Sequence, residues 1–411
     1  MNVGIDTLAI YTSRYKLDLA DLAEARGVPR DKYAASLGQY TMAVPPPGED
    51  IVTMAANAAQ QALSDTDMHS IEMLLFATES GFDTSKAAGT YLHDLLKLPS
   101  RCRIVELKQA CYGGTAGLQL AMPYLRENPT KKVLLVLADV ARYGLHAAAE
   151  SSQGAGAVAM VLSAQPRLIA LEREYGVIAE NVMDFWHPQY LSHALVDGKY
   201  SSKLYLQLLE KTWEQYRQLS GRELIDHDYF CYHTPVPRLV ETAHQFLLKL
   251  SRQPLEPTQA SLQAALEYGR HMGNSYTAAL YVGLASLLDH CQQDLSQKRI
   301  GFYSYGSGCV AEYFSGVVQP GYQRVLHTAY HQQLFAERIP LTVTEYEAFY
   351  NYHYPEDGSR FELPVYQTGA FRLEKLREHK RIYIKTPLAV IDSNAKMATA
   401  SDDALQQAQT N

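Results

Sequence analysis

The stretch RIVELKQACYGGTAGLQLAMPYL, residues 103–125, carries the reading that decides the fold. Its first five residues, Arg103 to Leu107, form a short apolar run of the length of a buried strand. Further on, Leu118, Ala121, Met122 and Leu125 fall at i, i+3, i+4 and i+7, the stripe by which a helix faces a core. Between the two lie Cys111 and a glycine-rich turn. Pro123 sits inside the stripe, where it forfeits one backbone hydrogen bond and bends a helix unless the loss is absorbed locally. A strand that feeds a helix in this way is the unit of α/β architecture.

Outward from this stretch the alternation continues. Ile71 to Thr78 (IEMLLFAT) and Val133 to Ala138 read as buried strands, and Leu92, Leu95 and Leu96 mark a helical face between the first two strands. The pattern restarts later. Asp228 to Tyr232 (DYFCY) reads as a strand, followed by a helix opened by Pro235 and Pro237 and striped by Leu239, Val240, Ala243, Phe246, Leu247 and Leu250. Tyr276 to Leu288 reads as a strongly apolar helix, and Ile300 to Tyr305 and Cys309 to Phe314 as strands. Two α/β halves meet near residues 165–175, with no residue-level repeat between them. The expected units are residues 1–170, residues 171–385 and a polar tail, 386–411, expected to fray.

Composition bounds the function. With 411 residues, 47% hydrophobic and 20% charged, the chain has material for a large core, and 25 Gly with 18 Pro are too few for a low-complexity or collagen-like chain. The net charge of −7 supplies no positive field for a phosphate backbone, so nucleic acid is not an expected partner. Five cysteines without CxxC spacing read as reduced thiols of a cytosolic protein. No basic leader precedes the N-terminal apolar run and no stretch approaches a membrane span, so the expectation is a soluble cytoplasmic protein with no membrane partner.

Three polar residues stand where strands end. Cys111 lies at the start of a helix, where oriented N–H groups are expected to lower a thiol pKa and to cradle an acyl oxyanion. A lone Cys is equally at home as a small buried apolar side chain, and the residues leave both open. Glu79, in FATES, follows a strand and precedes a helix at the sheet edge where α/β ligand sites collect, or it caps that helix. His233, in YHTP, closes a strand in the same way. The glycine-rich turns Gln153 to Val158 (QGAGAV) and Ser304 to Gly308 (SYGSG) lack the third glycine and flanking elements of a dinucleotide loop, and suit close backbone approach instead. The run Tyr346, Phe349, Tyr350, Tyr352, His353, Tyr354 reads as packing or interface.

In chain order, GQYTMAV, FATES, ELKQACYGGTAGLQLA, DVARYGL, QGAGAVAM, DFWHP, LVDG, YHTP, MGNSYTAALY and YSYGSG resemble the bacterial 3-hydroxy-3-methylglutaryl-CoA (HMG-CoA) synthase family of the thiolase-like superfamily. The resemblance runs from Asn2 to about residue 385. It implies a five-layered αβαβα fold of two similar halves, the first carrying the Glu and Cys and the second the His and Asn, and a homodimer. It implies Cys111 as the acetylated nucleophile, Glu79 as general acid/base and His233 at the acceptor carbonyl. Tyr143, Asp184, Phe185, Asn274 and Ser307 correspond to substrate-contacting positions, with the backbone N–H groups of Cys111 and Ser307 as oxyanion donors.

The substrates implied are acetyl-CoA and acetoacetyl-CoA in the mevalonate pathway, with no metal and no cofactor beyond the CoA of the substrates. One departure bears on the acceptor. Where the family carries Lys residues after the His-x-Pro segment, this chain has Arg238, then Glu241 and Thr242. ESGFD, KQACYGGTAG and YHTP lean towards relatives that build β-branches on polyketides held by acyl carrier protein, while DFWHP, LVDG, ARYGL and GQYTMAV lean towards the CoA enzyme. A thiolase-like structural subunit without chemistry would dispense with the nucleophile, and a cysteine hydrolase would leave Glu79 without a role.

Overall fold

The computed structural model describes residues 2–254 and 259–386, apart from the side chains of residues 259–261. The frayed tail expected after residue 385 falls, beyond Thr386, outside the described residues. Nine strands form the central sheet: β1 (Val3–Tyr11), β2 (Ile71–Ala77), β3 (Arg103–Leu107), β4 (Lys132–Ala141), β5 (Gly154–Ala164), β6 (Ile169–Ala179), β7 (Tyr229–Tyr232), β8 (Arg299–Gly306) and β9 (Val310–Val318). Their spatial order is β7-β8-β9-β6-β1-β5-β4-β2-β3. β2 runs parallel to β3 and β4, and β7 runs parallel to β8. Within the sheet, β1 and β6 pair through Gly4–Ala170 and Ile5–Ile169, beside the expected boundary between the halves.

Side-chain alternation explains the layers. In β2, Leu74 and Phe76 enter one apolar cluster while Leu75 and Ala77 enter another. In β4, Leu134, Val136 and Ala138 part in the same way from Val133, Leu135 and Leu137. Strands buried on both faces need helices on both, which is why they read as unbroken apolar runs. One face meets an outer pair, α1 (Ile51–Ala62) and α2 (Ala88–Leu95). The other meets a shared middle layer, α3 (Gly113–Glu127) from the first half with α6 (Gln259–Met272) and α7 (Ala279–His290) from the second. The second outer layer, α4 (Gly198–Ser220) and α5 (Pro237–Leu250), covers Phe230, Tyr232, Tyr303 and Tyr305. The result is a thiolase-like αβαβα stack. Each fully buried Leu of α3 contributes about 1.5–3 kcal/mol to it.

Two readings of local structure change, and two prolines take tolerated places. QGAGAV is not a turn: Gly154 to Val158 begin β5, because a Cβ at Gly154 would stand 2.4 Å from the Met272 carbonyl and 2.8 Å from the Asn274 nitrogen. The glycine is there to let that segment approach. The apolar helix expected from Tyr276 begins at Ala279, after one 3₁₀ turn, Tyr276 having φ 47°. Pro123 lies exposed on the outer side of α3, which continues unbroken to Glu127. In α5, Pro237 takes the first helical position, where its missing N–H costs nothing. No described helix is long and apolar enough to cross a membrane.

Candidate active site

The ends of three strands converge. Glu79 follows β2 by two residues, Cys111 precedes α3 by two, and His233 is the first residue after β7. The thiol of Cys111 donates to Glu79 Oε1 at 3.0 Å. Ala110, immediately before the nucleophile, is held at φ 43°, a left-handed backbone that costs a non-glycine residue about 1 kcal/mol and is retained where surroundings enforce it. The enforcing neighbour is the turn after β8. Gly306 lies so close that a Cβ there would meet the Tyr112 nitrogen at 2.5 Å, and Gln109 Nε2 donates to the Ser307 carbonyl at 3.3 Å. The two halves are thus clamped together at the thiol.

A cavity of about 190 Å³ opens on this point and is lined by Cys111, Tyr143, Phe185, His233, Asn274 and Ser307, among others. Asn274 Nδ2 donates to the Tyr143 hydroxyl at 3.0 Å, and Asn274 Oδ1 accepts from the Tyr276 N–H at 2.9 Å. The rings of Tyr143, Phe185 and Tyr276 stand edge to face at centroid separations of 5.7–6.1 Å, forming an apolar wall. His233 is buried. Its backbone is tied by its N–H to Tyr303 O and by its carbonyl to the Tyr205 hydroxyl, each at 2.7 Å, while ring Nδ1 has no partner. The imidazole is therefore aimed by its backbone, with its buried Nδ1 left without a protein partner.

Burial dominates the electrostatics. It raises the Glu79 carboxyl to about 8, helped by the nearby Asp139 carboxylate and only partly opposed by the Cys111 hydrogen bond. Both Glu79 and Cys111 keep some accessible surface because they face cavities; protein packing around those cavities still strips their bulk hydration. The Cys111 thiol lies well above its ordinary value through burial, then through the charge and hydrogen bond of Glu79, its own backbone N–H being a small opposing influence. The helix-start lowering expected from sequence is overruled. Burial also drives His233 down to about 3, so the imidazole is neutral across the physiological range.

Two expected contacts are placed elsewhere. Asp184 is fully buried behind the cavity wall, accepting from the Tyr305 hydroxyl at 2.6 Å, Ser201 Oγ at 3.0 Å and the Gly308 N–H at 2.9 Å. With those bonds it braces the Ser307 turn instead of facing a ligand. Arg238 is half exposed and lies outside the cavity lining. Its guanidinium is engaged by Glu241, which also takes Arg270 at 2.8 Å, and by the Ala35 carbonyl at 3.2 Å. Glu241 thus engages the cation expected to meet a phosphate, while sharing its single charge with Arg270.

One residue the sequence reading passed over organises the catalytic loop. Asp139, fully buried in β4, accepts from Thr78 Oγ1 at 2.8 Å, the Glu79 N–H at 2.9 Å, the Ser80 N–H at 3.0 Å and the Thr277 N–H at 3.1 Å. It ties the Glu79 loop of one half to the Tyr276 segment of the other. Its sequence signal was a carboxylate within an apolar strand, which requires a full set of donors.

Residues 1–166 match the family model for the N-terminal part of hydroxymethylglutaryl-coenzyme A synthase, and residues 242–354 match the model for its C-terminal part. A hydroxymethylglutaryl-CoA synthase of Enterococcus faecalis is 40% identical over 85% of this chain and 92% of its own length. The polyketide biosynthesis 3-hydroxy-3-methylglutaryl-ACP synthase PksG of Bacillus subtilis is 33% identical, over 85% of this chain and 88% of its own. The crystal structure of an HMG-CoA synthase complexed with CoA superposes with a TM-score of 0.91 at 37% identity, covering 94% of this chain and all of that one. By its sequence and by its fold, this chain belongs to the hydroxymethylglutaryl-CoA synthase family.

Proposed function

We propose that the chain condenses acetyl-CoA with acetoacetyl-CoA and water to give HMG-CoA and CoA, as the C–C bond-forming acyltransferase of the mevalonate pathway. The observation that carries this is the 3.0 Å contact between the Cys111 thiol and a buried carboxyl, in reach of a cavity that also holds a neutral, partly unpartnered imidazole. Cys111 sulfur attacks the thioester of acetyl-CoA, its proton passing through Glu79 to the departing CoA thiolate. Glu79 as carboxylate then removes a methyl proton from acetyl-Cys111, and backbone N–H groups of Cys111 and Ser307 hold the enolate oxygen. The carbanion attacks C3 of acetoacetyl-CoA; His233 donates a hydrogen bond to the ketone as it becomes an alkoxide, and the proton that Glu79 took from the methyl group passes to that oxygen. Water cleaves the thioester to Cys111, its oxygen remaining on the new carboxyl group and one of its protons returning to sulfur.

Nothing in these steps calls for a metal or a redox cofactor. The reading includes a homodimer: β3 is an edge strand with Val105 47% exposed, and Leu120 on the adjoining α3 is 60% exposed, an apolar edge suited to a second copy. Five free cysteines suit the cytoplasm.

Incubation with both thioesters, read by mass spectrometry for HMG-CoA, tests the reading; no product would sink it. His233→Ala should leave acetylation of Cys111 within a few-fold of the native rate. It should raise the acetoacetyl-CoA requirement by roughly 10- to 100-fold, the scale of one lost hydrogen bond to a buried oxygen. The second reading, an acyl carrier protein as acceptor carrier, is favoured by the engagement of Arg238 with Glu241. Because that guanidinium is already paired and exposed to screening solvent, Arg238→Ala should weaken CoA substrates by less than about 1 kcal/mol. A loss of tenfold or more in kcat/KM would show that Arg238 leaves Glu241 for the CoA phosphates.

A further inference from the structure

Glu79 stands between two cavities, and only one of them holds the nucleophile. The smaller, described above, contains Cys111 and His233 and lies against the first turns of α4 and α5. The larger, about 940 Å³, is lined by Glu79 but by neither Cys111 nor His233. Phe185 and Tyr276 line both and form the partition. We propose that the larger cavity is the route by which water reaches the acyl-enzyme and protons leave Glu79, separate from the route taken by the acyl substrates. This rests on the condensation reading given above.

Three observations carry it. First, the substrates must meet Cys111 and His233, so they occupy the smaller cavity, whose 190 Å³ would hold about six waters when empty. With acetyl and acetoacetyl groups in place, that side has little room for the hydrolytic water. Second, the larger cavity carries polar side chains besides Glu79: Ser80, Asp83, Glu106, Lys108, Arg142 and His187 belong to its lining. Third, the chemistry requires such a route. At neutral pH the new carboxylic acid ionises, so each turnover takes in one water and releases one proton. The carboxyl that shuttles protons between methyl carbon, water and sulfur is Glu79, the group exposed to this cavity.

Thr84 and Ser192 are exposed lining residues of the larger cavity, absent from the smaller one and remote from the bonding that holds the catalytic groups. The test is the full-length double variant Thr84→Trp/Ser192→Trp, with the double Ala variant as control and thermal melting to verify folding. The Trp pair should acetylate Cys111 within about twofold of wild type, yet release product about tenfold more slowly. Acid-quenched samples should then accumulate the hydroxymethylglutaryl-CoA adduct on Cys111, and deuterium from solvent should enter the acetyl methyl group more slowly. The double Ala variant should behave as wild type. Native rates of hydrolysis and exchange in a folded Trp pair would overturn the proposal. So would acetylation falling as far as hydrolysis, since the larger cavity would then be the substrates' own passage. Failure of wild-type protein to form the adduct or HMG-CoA at all is a different result and would count against the condensation reading itself.

Discussion

Cys111→Ala should take up no acetyl group from acetyl-CoA and should form no HMG-CoA, with the fold retained. Four other cysteines are present, and Cys102, Cys231 and Cys309 are buried among apolar side chains. Burial pushes the thiols of Cys102 and Cys309 up to about 11 and none of the three has a carboxyl in hydrogen-bond reach. Cys291 donates only to a tyrosine hydroxyl, at 3.6 Å. What distinguishes Cys111 is therefore not a lowered pKa but a base at 3.0 Å. Peptide mass spectrometry of wild type after acetyl-CoA treatment should place one acetyl group on the peptide containing Cys111; the same adduct on Cys231 or Cys309 would contradict the assignment.

Glu79→Gln should separate the two half-reactions. An amide cannot accept the methyl proton, so condensation should fall by roughly 10² to 10⁴. Acetylation should change far less, because removing the carboxylate costs a proton acceptor but also removes the charge that holds the Cys111 thiol high. In wild type the condensation step, measured from preformed acetyl-enzyme, should rise with pH and level off above about 8, where Glu79 is ionised. The same carboxyl has a cost in stability. Its folded value near 8 exceeds the ordinary 4.5, so the folded chain holds this proton more tightly than the unfolded chain, and ionising it destabilises the fold. Wild type should lose stability relative to Glu79→Gln as pH rises from about 4.5 to about 8, and the difference in melting temperature should grow across that window. A difference that is flat with pH, or an acetylation rate that falls as far as condensation, would show that Glu79 acts chiefly on the thiol.

Much of the architecture was legible along the chain. Arg103–Leu107 was read to the residue, although it is a half-exposed edge strand and not the buried one expected; β2, β4, β7 and β8 were read to within a few residues, because strands covered on both faces are continuous apolar runs with sharp polar ends. The helix after Cys111 was equally plain from its stripe. β5 was missed because glycine is a poor strand former, and the reason for Gly154 lies 118 residues away at Met272. The strand β1 and the helix α4 carried no motif and were not read at all. The Tyr run at 346–354 was read as packing, and Tyr346 is indeed buried, its hydroxyl bonded to Glu150 at 3.1 Å and accepting from Gln153 at 2.8 Å.

Residue type and local pattern thus determined several of the strands and helices and which side chains stand at their ends: Glu79, Cys111 and His233 were all visible as polar residues near the ends of strands. Tertiary structure alone decided what those groups are chemically. A helix start and a glycine turn argue for an acidic thiol, but the surrounding packing withdraws water and sets a carboxyl at 3.0 Å, reversing the shift. The same holds for Asp184, a matched motif residue turned into the wall by three donors, and for Arg238, whose charge Glu241 takes up three residues along the same helix. Dielectric surroundings and hydrogen-bond partners are properties of a place in space. Residues separated by 61, 124 or 138 positions, as Thr78–Asp139, Asp184–Gly308 and Asp139–Thr277 are, acquire them only when the chain folds, and the last pair only when the two halves close on one another.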